Sequence, residues 1–209
     1  MINSKYQACF IGNAIVDIIS KITDKNLDKL KIPKGSMQLV DEKLSKKILG
    51  YIKKPTIISG GSAANTAVGY SSFGGICSLI GQKGDDDFGI LFSKDINKSG
   101  VVHENKIIRV SEKTSKSIVL VTPDAERSMN TYLGASAQFN IDCINEDLII
   151  NSNIIYIEGY LFDQSDAKKA IYHCCKLAKA NNLRIALSLS DSFCVDRHRE
   201  ELCDLINKY

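Results

Sequence analysis

Two kinds of segment alternate along most of the chain, namely short apolar runs and stretches with helical periodicity. The strand-like runs lie at residues 7–12, 56–59, 76–80, 153–157 and 184–189. The helical stretches lie at residues 24–30, 41–53, 62–73, 87–99, 164–181 and 197–208. Glycines separate several of these segments, and the alternation predicts an α/β layered fold.

Residues 107–132 depart from this alternation. Residues 117–122 and 129–132 have the composition of strands, with a turn at Pro123 and Asp124 and no helix between them. We therefore expect a small β unit attached to the α/β body. Because the next core strand is due where the chain reaches residue 209, we expect one incomplete domain over residues 1–209.

The composition is that of an ordinary globular protein, with 44% hydrophobic and 24% charged residues. The formal charge of +3 comes from 27 basic and 24 acidic residues scattered along the chain. This scatter predicts a solvated surface and no nucleic-acid partner. Since no apolar run approaches the ~18 residues that a membrane helix needs, we expect no membrane partner either.

Cysteines, histidines and the start of the chain bear on compartment and metal binding. The seven cysteines include no C-x-x-C pair, and residues 1–5 lead directly into a strand pattern without a secretory signal. These features predict reduced thiols and a cytoplasmic location. The three histidines are too far apart to predict a zinc site, so we expect no metal ligands within this chain. We expect His103 to be an exposed turn residue and His198 to begin a solvated helix.

A strand-to-helix junction carries Gly60-Gly61-Ser62-Ala63-Ala64-Asn65. Glycines without a Cβ let a ligand approach the backbone, and the following helix offers free N–H groups at the positive end of its dipole. The dinucleotide fingerprint of a nicotinamide oxidoreductase is similar, but Asn65 stands where its last glycine would fall. A plain turn is the other interpretation.

A second polar segment, Gly12-Asn13-Ala14-Ile15-Val16-Asp17, follows the first predicted strand. An ionised Asp17 carboxylate would offer several acceptor positions, which suits two adjacent hydroxyls of a sugar. An aspartate that caps a turn is the alternative.

Together with four further stretches, these two segments resemble the ribokinase family, also called PfkB-type carbohydrate kinases. Within that family the chain most resembles adenosine kinases and related bacterial sugar kinases. The further stretches are Gly81 with Asp85-Asp86-Asp87-Phe88-Gly89, Arg127 with Asn130-Thr131-Tyr132-Leu133-Gly134-Ala135, Glu158-Gly159-Tyr160 and Ser188-Leu189-Ser190-Asp191-Ser192-Phe193. The resemblance implies a three-layer α/β/α sandwich with a small β-sheet lid, formed around residues 13–22, 35–40 and 107–135.

The resemblance also implies roles for individual residues. In the family, the aspartate that matches Asp17 binds ribose hydroxyls, and Arg127 matches an arginine near the transferring phosphate that favours the transition state. The implied substrate-binding positions are Asn13, Asp17, Gly60, Gly61, Asn65, Met129, Leu133 and Tyr160. For the last three, ordinary core packing is the alternative to contact with the base or the sugar.

Family elements for phosphate transfer are absent from the sequence. The family's general base is an aspartate in a Gly-Ala-Gly-Asp turn, and an Asn-x-x-Glu segment helps to hold Mg²⁺. Neither occurs in these 209 residues, and Gly84-Asp85 lacks the preceding Gly-Ala. The resemblance therefore implies a general base and most of an ATP pocket beyond residue 209, and we expect this chain alone to be inactive.

We expect the full-length protein to transfer the γ-phosphoryl group of ATP, with Mg²⁺, to a hydroxyl of adenosine or a ribose-like substrate. One alternative is a non-catalytic sugar- or nucleoside-binding module that still uses Asp17 and Asn65. A Rossmann-type nicotinamide oxidoreductase is the other. The expected partner is a small molecule, and a monomer is favoured over a lid-mediated dimer.

Overall fold

The computed structural model describes residues 5–104 and 110–209. Residues 1–4, where no secretory signal is predicted, and residues 107–109 of the predicted β unit lie outside the described residues. The strands form two sheets of five strands each. We call them the core sheet and the second sheet.

The core sheet is parallel throughout. Its strands, in spatial order, are β10 (Arg184–Ser188), β9 (Ile154–Glu158), β1 (Ala8–Ile11), β5 (Cys77–Ile80) and β6 (Val101–Val102). Alternate residues of β1 pack into different apolar clusters. Cys9 and Ile11 belong to one cluster, and Ala8 and Phe10 belong to the other. Because both faces of the sheet are covered, its strands are continuous apolar runs in the sequence.

Helices cover both faces of the core sheet. The cluster that contains Phe10 includes residues of α3 (Ser62–Ser72) and α4 (Asp87–Lys98), and the cluster that contains Ile11 includes residues of α5 (Glu146–Ile150), α6 (Ser165–Ala180) and α7 (Ser192–Lys208). Short 3₁₀ turns span Gly134–Gln138, Ile141–Cys143 and Gly159–Asp163. No helix within the described residues has the length and apolar character needed to cross a membrane.

The second sheet mixes parallel and antiparallel pairs. Its order is β3 (Met37–Leu39), β8 (Arg127–Tyr132), β7 (Ser115–Val121), β2 (Ile15–Lys21) and β4 (Thr56–Gly60). Two helices accompany it, α1 (Asp24–Leu30) and α2 (Glu42–Tyr51). Alternate residues of β2 face opposite sides, so Val16 and Ile18 are fully buried while Asp17 lies on the more open face. The predicted α/β sandwich with an additional small sheet is confirmed.

Two segment assignments differ from the structure. The strand–helix alternation places residues 56–59 among the strands of the α/β body. In the structure this strand, β4, pairs antiparallel with β2 in the second sheet. The last helix, predicted over residues 197–208, has an additional first part: it begins at Ser192, where the Asp191 carboxylate accepts a hydrogen bond from the Cys194 N–H at 2.7 Å. The helix is kinked at His198, and the part after the kink corresponds to the predicted helix.

The expectation for His103 is wrong, and the one for His198 is correct only in part. His103 is 6% exposed, and its Nδ1 lies 3.2 Å from the Leu79 carbonyl oxygen. Burial lowers the pKa of His103 to about 4. His198 lies at the kink of α7 with a non-helical backbone, so a helical part does begin there. Its side chain is only 12% exposed rather than solvated, with Nε2 2.8 Å from Asp163 and Nδ1 3.1 Å from Glu201.

Candidate functional site

The loops that leave the core strands meet at one edge of the core sheet. Since β1, β5, β9 and β10 are parallel, their carboxyl ends lie side by side, which is where ligands bind in open α/β sheets. Asn13 follows β1 at this edge and Tyr160 follows β9. The chain passes directly from Asn13 into β2, which brings Asp17 of the second sheet close to the same edge.

Asp17 is a half-buried carboxylate at this edge. Among the described residues, no group donates a hydrogen bond to it and no cation pairs with it. Its neighbours across the second sheet are Ile58 of β4 and Ser117 of β7. Burial raises the pKa of Asp17 to about 6. The acceptor positions of this carboxylate are therefore available to a ligand.

The two glycines lie against the polar groups of the first loop. A Cβ on Gly60 would come within 2.2 Å of the Asp17 Oδ2. Gly61 has φ +98°, which side chains rarely adopt, and a Cβ there would come within 2.4 Å of the Asn13 carbonyl oxygen. Only glycine fits at either position without a shift of the neighbouring atoms. The di-glycine segment therefore packs directly against Asp17 and Asn13.

Helix α3 begins directly after these glycines. Gly61 is its N-cap residue and provides no side-chain cap, so the first N–H groups need other partners. The Ala63 N–H donates to the Glu158 Oε2 at 2.8 Å. Asn65 lies in the first turn with its side chain exposed, and its own N–H donates to the Gly61 carbonyl at 2.8 Å.

Glu158 is a further functional candidate, for which the sequence pattern predicted no role. It is 1% exposed, and its Oε1 accepts the Asn13 side-chain amide at 2.7 Å and the Asn13 N–H at 3.4 Å. Burial raises the pKa of Glu158, while the donors of Ala63 and Asn13 oppose that rise. An available signal was an acidic residue that ends the otherwise apolar strand Ile154–Glu158.

Tyr160 is fixed by the start of α7. Its hydroxyl donates to the Asp191 Oδ2 at 3.0 Å, and its N–H donates to the Ser190 hydroxyl at 3.0 Å. Burial and this carboxylate raise the pKa of Tyr160 to about 12. The ring is half-buried, so it presents a partly exposed surface at the same edge of the core sheet.

The remaining predicted residues lie on or beside β8. Thr131 pairs with Ser117 of β7, and Ser117 pairs with Asp17 of β2, so Thr131 and Asp17 lie at the same height on one face of the second sheet. Met129 is two residues away on the same face and 37% exposed, and the half-buried Leu133 follows the end of the strand. The exposed Arg127 is four residues from Thr131, roughly 13 Å along the strand.

The structure thus brings some of the predicted residues together and leaves others apart. Asn13, Asp17, Gly60 and Gly61 form one contiguous group, with Asn65 one helical turn away. Arg127 lies on the same sheet face as Asp17 but near its far end, and it does not adjoin this group. Within residues 5–104 and 110–209, no three His, Cys, Asp or Glu side chains are grouped to hold a metal ion.

The sequence profile of the pfkB family carbohydrate kinases matches residues 35–209. This chain belongs to the pfkB family. Among solved structures, an adenosine kinase from Sinorhizobium meliloti is 40% identical, with a TM-score of 0.87 over 97% of this chain and 62% of that one. A probable sugar kinase from Rhizobium etli CFN 42 is 38% identical, also at a TM-score of 0.87, over 97% of this chain and 61% of that one.

Curated relatives of this pfkB chain are similar over shorter stretches. A probable fructokinase-5 of Arabidopsis thaliana is 29% identical over 132 residues, which are 62% of this chain and 40% of the relative. The chain thus spans about two fifths of that relative and about three fifths of the solved structures. Membership of a carbohydrate kinase family leaves the nicotinamide oxidoreductase alternative without support.

Proposed function

We propose that this chain forms the substrate-binding part of an ATP-dependent kinase that phosphorylates a hydroxyl of a ribose-containing substrate. The observation that carries the proposal is the Asp17 carboxylate, which has no partner among the described residues and lies against Gly60, next to the glycine that contacts Asn13. A carboxylate with unoccupied acceptor positions in a partly desolvated site suits two adjacent ribose hydroxyls.

The groups around Asp17 have complementary tasks. Asn13 donates its side-chain amide to Glu158, which leaves its Oδ1 to accept from a ligand hydroxyl. The glycines admit the sugar close to the backbone because neither carries a Cβ. Asn65, exposed in the first turn of α3, would contribute a further polar contact at the positive end of the helix dipole.

Adenosine is the first choice of substrate, and ribose or another sugar is the second. The 40% identity to the Sinorhizobium adenosine kinase extends over 97% of this chain and supports the nucleoside. Met129, Leu133 and the half-buried Tyr160 ring are the apolar surfaces that we assign to the base. The similarity to a probable fructokinase supports a sugar as the second candidate substrate.

ATP would supply the transferred phosphoryl group, and Mg²⁺ would neutralise its charge. We assign none of the described residues to Mg²⁺, because no suitable donor set lies among them. The Gly-Ala-Gly-Asp turn does not occur in these 209 residues. We therefore expect the chain to bind substrate without transferring phosphate unaided, and we propose a charge-stabilising role for Arg127 only in the complete enzyme.

A non-catalytic nucleoside- or sugar-binding module is the second candidate. It rests on the same group of residues around Asp17, because binding a sugar hydroxyl requires no phosphate-transfer element. Supplying the missing family elements distinguishes the two functions, because only a kinase would gain turnover. For either function we propose a monomer in the reducing cytoplasm, where seven free cysteines would stay reduced.

Calorimetric titration of adenosine and ribose into the 209-residue chain tests the proposal. We expect adenosine to bind and Asp17→Ala to abolish the heat, while Asp166→Ala, which removes an exposed helical carboxylate, binds like the wild type. Ribose heat without adenosine heat would move the substrate to the sugar class. A folded wild-type chain that binds neither ligand, or an Asp17→Ala variant that binds normally, would contradict the proposed site.

A further inference from the structure

Strand β4, which carries Gly60 and leads into Gly61, is held by its own sheet on one side only. It pairs with β2 on one side and is the edge strand of the second sheet. Ile57 and Ile58 are 38% and 42% exposed, so the middle of the strand contributes little to a buried core. Gly60 nevertheless approaches the Asp17 carboxylate closely, and a shift of β4 would alter that approach.

A carboxylate of the core layer holds this strand from its open side. The Asp95 Oδ2 accepts the Ser59 N–H at 2.8 Å and the Ser59 hydroxyl at 2.7 Å. Asp95 belongs to α4, and that helix is anchored in the core by the fully buried Phe92 and Ile96. The contact therefore connects an exposed edge strand to a rigid part of the molecule.

The chemistry of this contact suits a permanent clamp. Two donors converge on one carboxylate oxygen, and charge-assisted hydrogen bonds of this kind are stronger than neutral ones. They lower the pKa of Asp95, which keeps the carboxylate ionised at neutral pH. Ser59 immediately precedes Gly60 and Gly61, so the clamp acts one residue from the atoms that face Asp17 and Asn13.

We propose that Asp95 is a positioning residue for the substrate site, which sets where Gly60 and Gly61 lie relative to Asp17. The inference rests on the proposed function, since the value of this position is the binding of substrate hydroxyls. Asp95 itself touches β4 and not the ligand. Its loss would let the edge strand move while the core sheet and α4 stay folded.

Three variants separate positioning from bulk stability. We expect Asp95→Ala to weaken adenosine binding roughly tenfold, the size of one charged hydrogen bond. Asp95→Asn should recover most of the affinity, because both donors end on one oxygen and an amide oxygen can accept both. Asp95→Leu, which has similar size and no acceptor, should bind as weakly as Asp95→Ala. Asp166→Asn, an exposed acid of α6, is the matched control.

Hydrogen exchange provides a readout that does not depend on a ligand. In Asp95→Ala we expect faster exchange over residues 59–61 and unchanged exchange over the core strand β1. A variant that keeps wild-type exchange at 59–61 would overturn the inference, as would an Asp95→Asn chain as impaired as Asp95→Ala. If wild type binds no ligand, the proposed function fails. Exchange at residues 59–61 then still decides whether Asp95 holds β4.

Discussion

The Glu158 carboxylate lies 2.7 Å from the side-chain amide of Asn13, although 145 residues separate the two along the chain. The same carboxylate accepts a hydrogen bond from the Ala63 N–H in the first turn of α3. One buried acid thus connects the loop after β1, the end of β9 and the start of α3. These are the three elements that surround the glycines and Asp17.

Glu158→Ala would leave the three donors of Asn13 and Ala63 without a partner in a buried place. We expect a loss of about 2–4 kcal/mol in the free energy of unfolding, together with a loss of adenosine affinity. Glu158→Gln should be less damaging, since its amide oxygen still accepts from one side. Urea unfolding at pH 7 checks the prediction, and an alanine variant as stable as wild type would contradict it.

Asp17→Asn should stabilise the fold and abolish binding. Burial raises the pKa of Asp17 to about 6 from 3.8, so the folded state favours the protonated carboxyl. The ionised carboxylate therefore destabilises the fold progressively as pH rises from about 4 to above 6. With allowance for partial solvent exposure, we expect Asn to add about 1–2 kcal/mol at pH 8 and almost nothing at pH 4.

Thermal unfolding of wild type and Asp17→Asn at both pH values checks this. A variant less stable than wild type at pH 8 would show that the carboxylate has a stabilising partner. In the wild type, adenosine affinity should fall as the pH drops through about 6, because the protonated carboxyl loses acceptor capacity.

Gly61→Ala should cost more than 2 kcal/mol of stability and abolish adenosine binding. The backbone has φ +98°, and the new Cβ would meet the Asn13 carbonyl oxygen at 2.4 Å. Gly50→Ala in α2 is the control, because nothing lies within 4 Å of its added Cβ. There we expect a gain of about 0.5–1 kcal/mol. Equal effects at the two sites, measured by urea unfolding, would refute the prediction.

Tyr160→Phe removes the hydroxyl that donates to Asp191 and keeps the ring. We expect a loss of about 0.5–1.5 kcal/mol in stability and less than a twofold change in adenosine affinity, whereas Tyr160→Ala should reduce affinity strongly. Tyr172→Phe, which loses a similar bond to Asp204 away from the site, is the control. Calorimetry checks the pair, and normal affinity in Tyr160→Ala would remove this residue from the substrate wall.

Local patterns determined much of the fold. The helix over Asp24–Leu30 and the Asp41 cap of α2 follow from short-range periodicity and capping chemistry, which need no distant residue. The close approach at the two site glycines could also be predicted from the sequence, because a strand that ends in two glycines before a helix is typical of a tight backbone contact. The same holds for Asp17, a carboxylate placed among apolar neighbours.

Tertiary structure decided the rest. β4 has the apolar sequence of a core strand, yet it joins the second sheet, because a strand's own pattern does not specify the partner with which it pairs. His103 follows a helix that ends at a glycine, a pattern typical of surface residues, yet it is buried against Phe92 and lies within hydrogen-bond distance of the Leu79 carbonyl on a neighbouring strand.

The roles of Glu158 and Asp95 have the same origin. Each carboxylate acts through hydrogen bonds to residues far away in the sequence, with Asn13 and Ala63 for one and Ser59 for the other. The sequence by itself determined which residues carry the polar groups and which strand faces are apolar. Only the tertiary structure brought donors and acceptors within 3 Å, since that distance depends on strand register and layer spacing rather than on local composition.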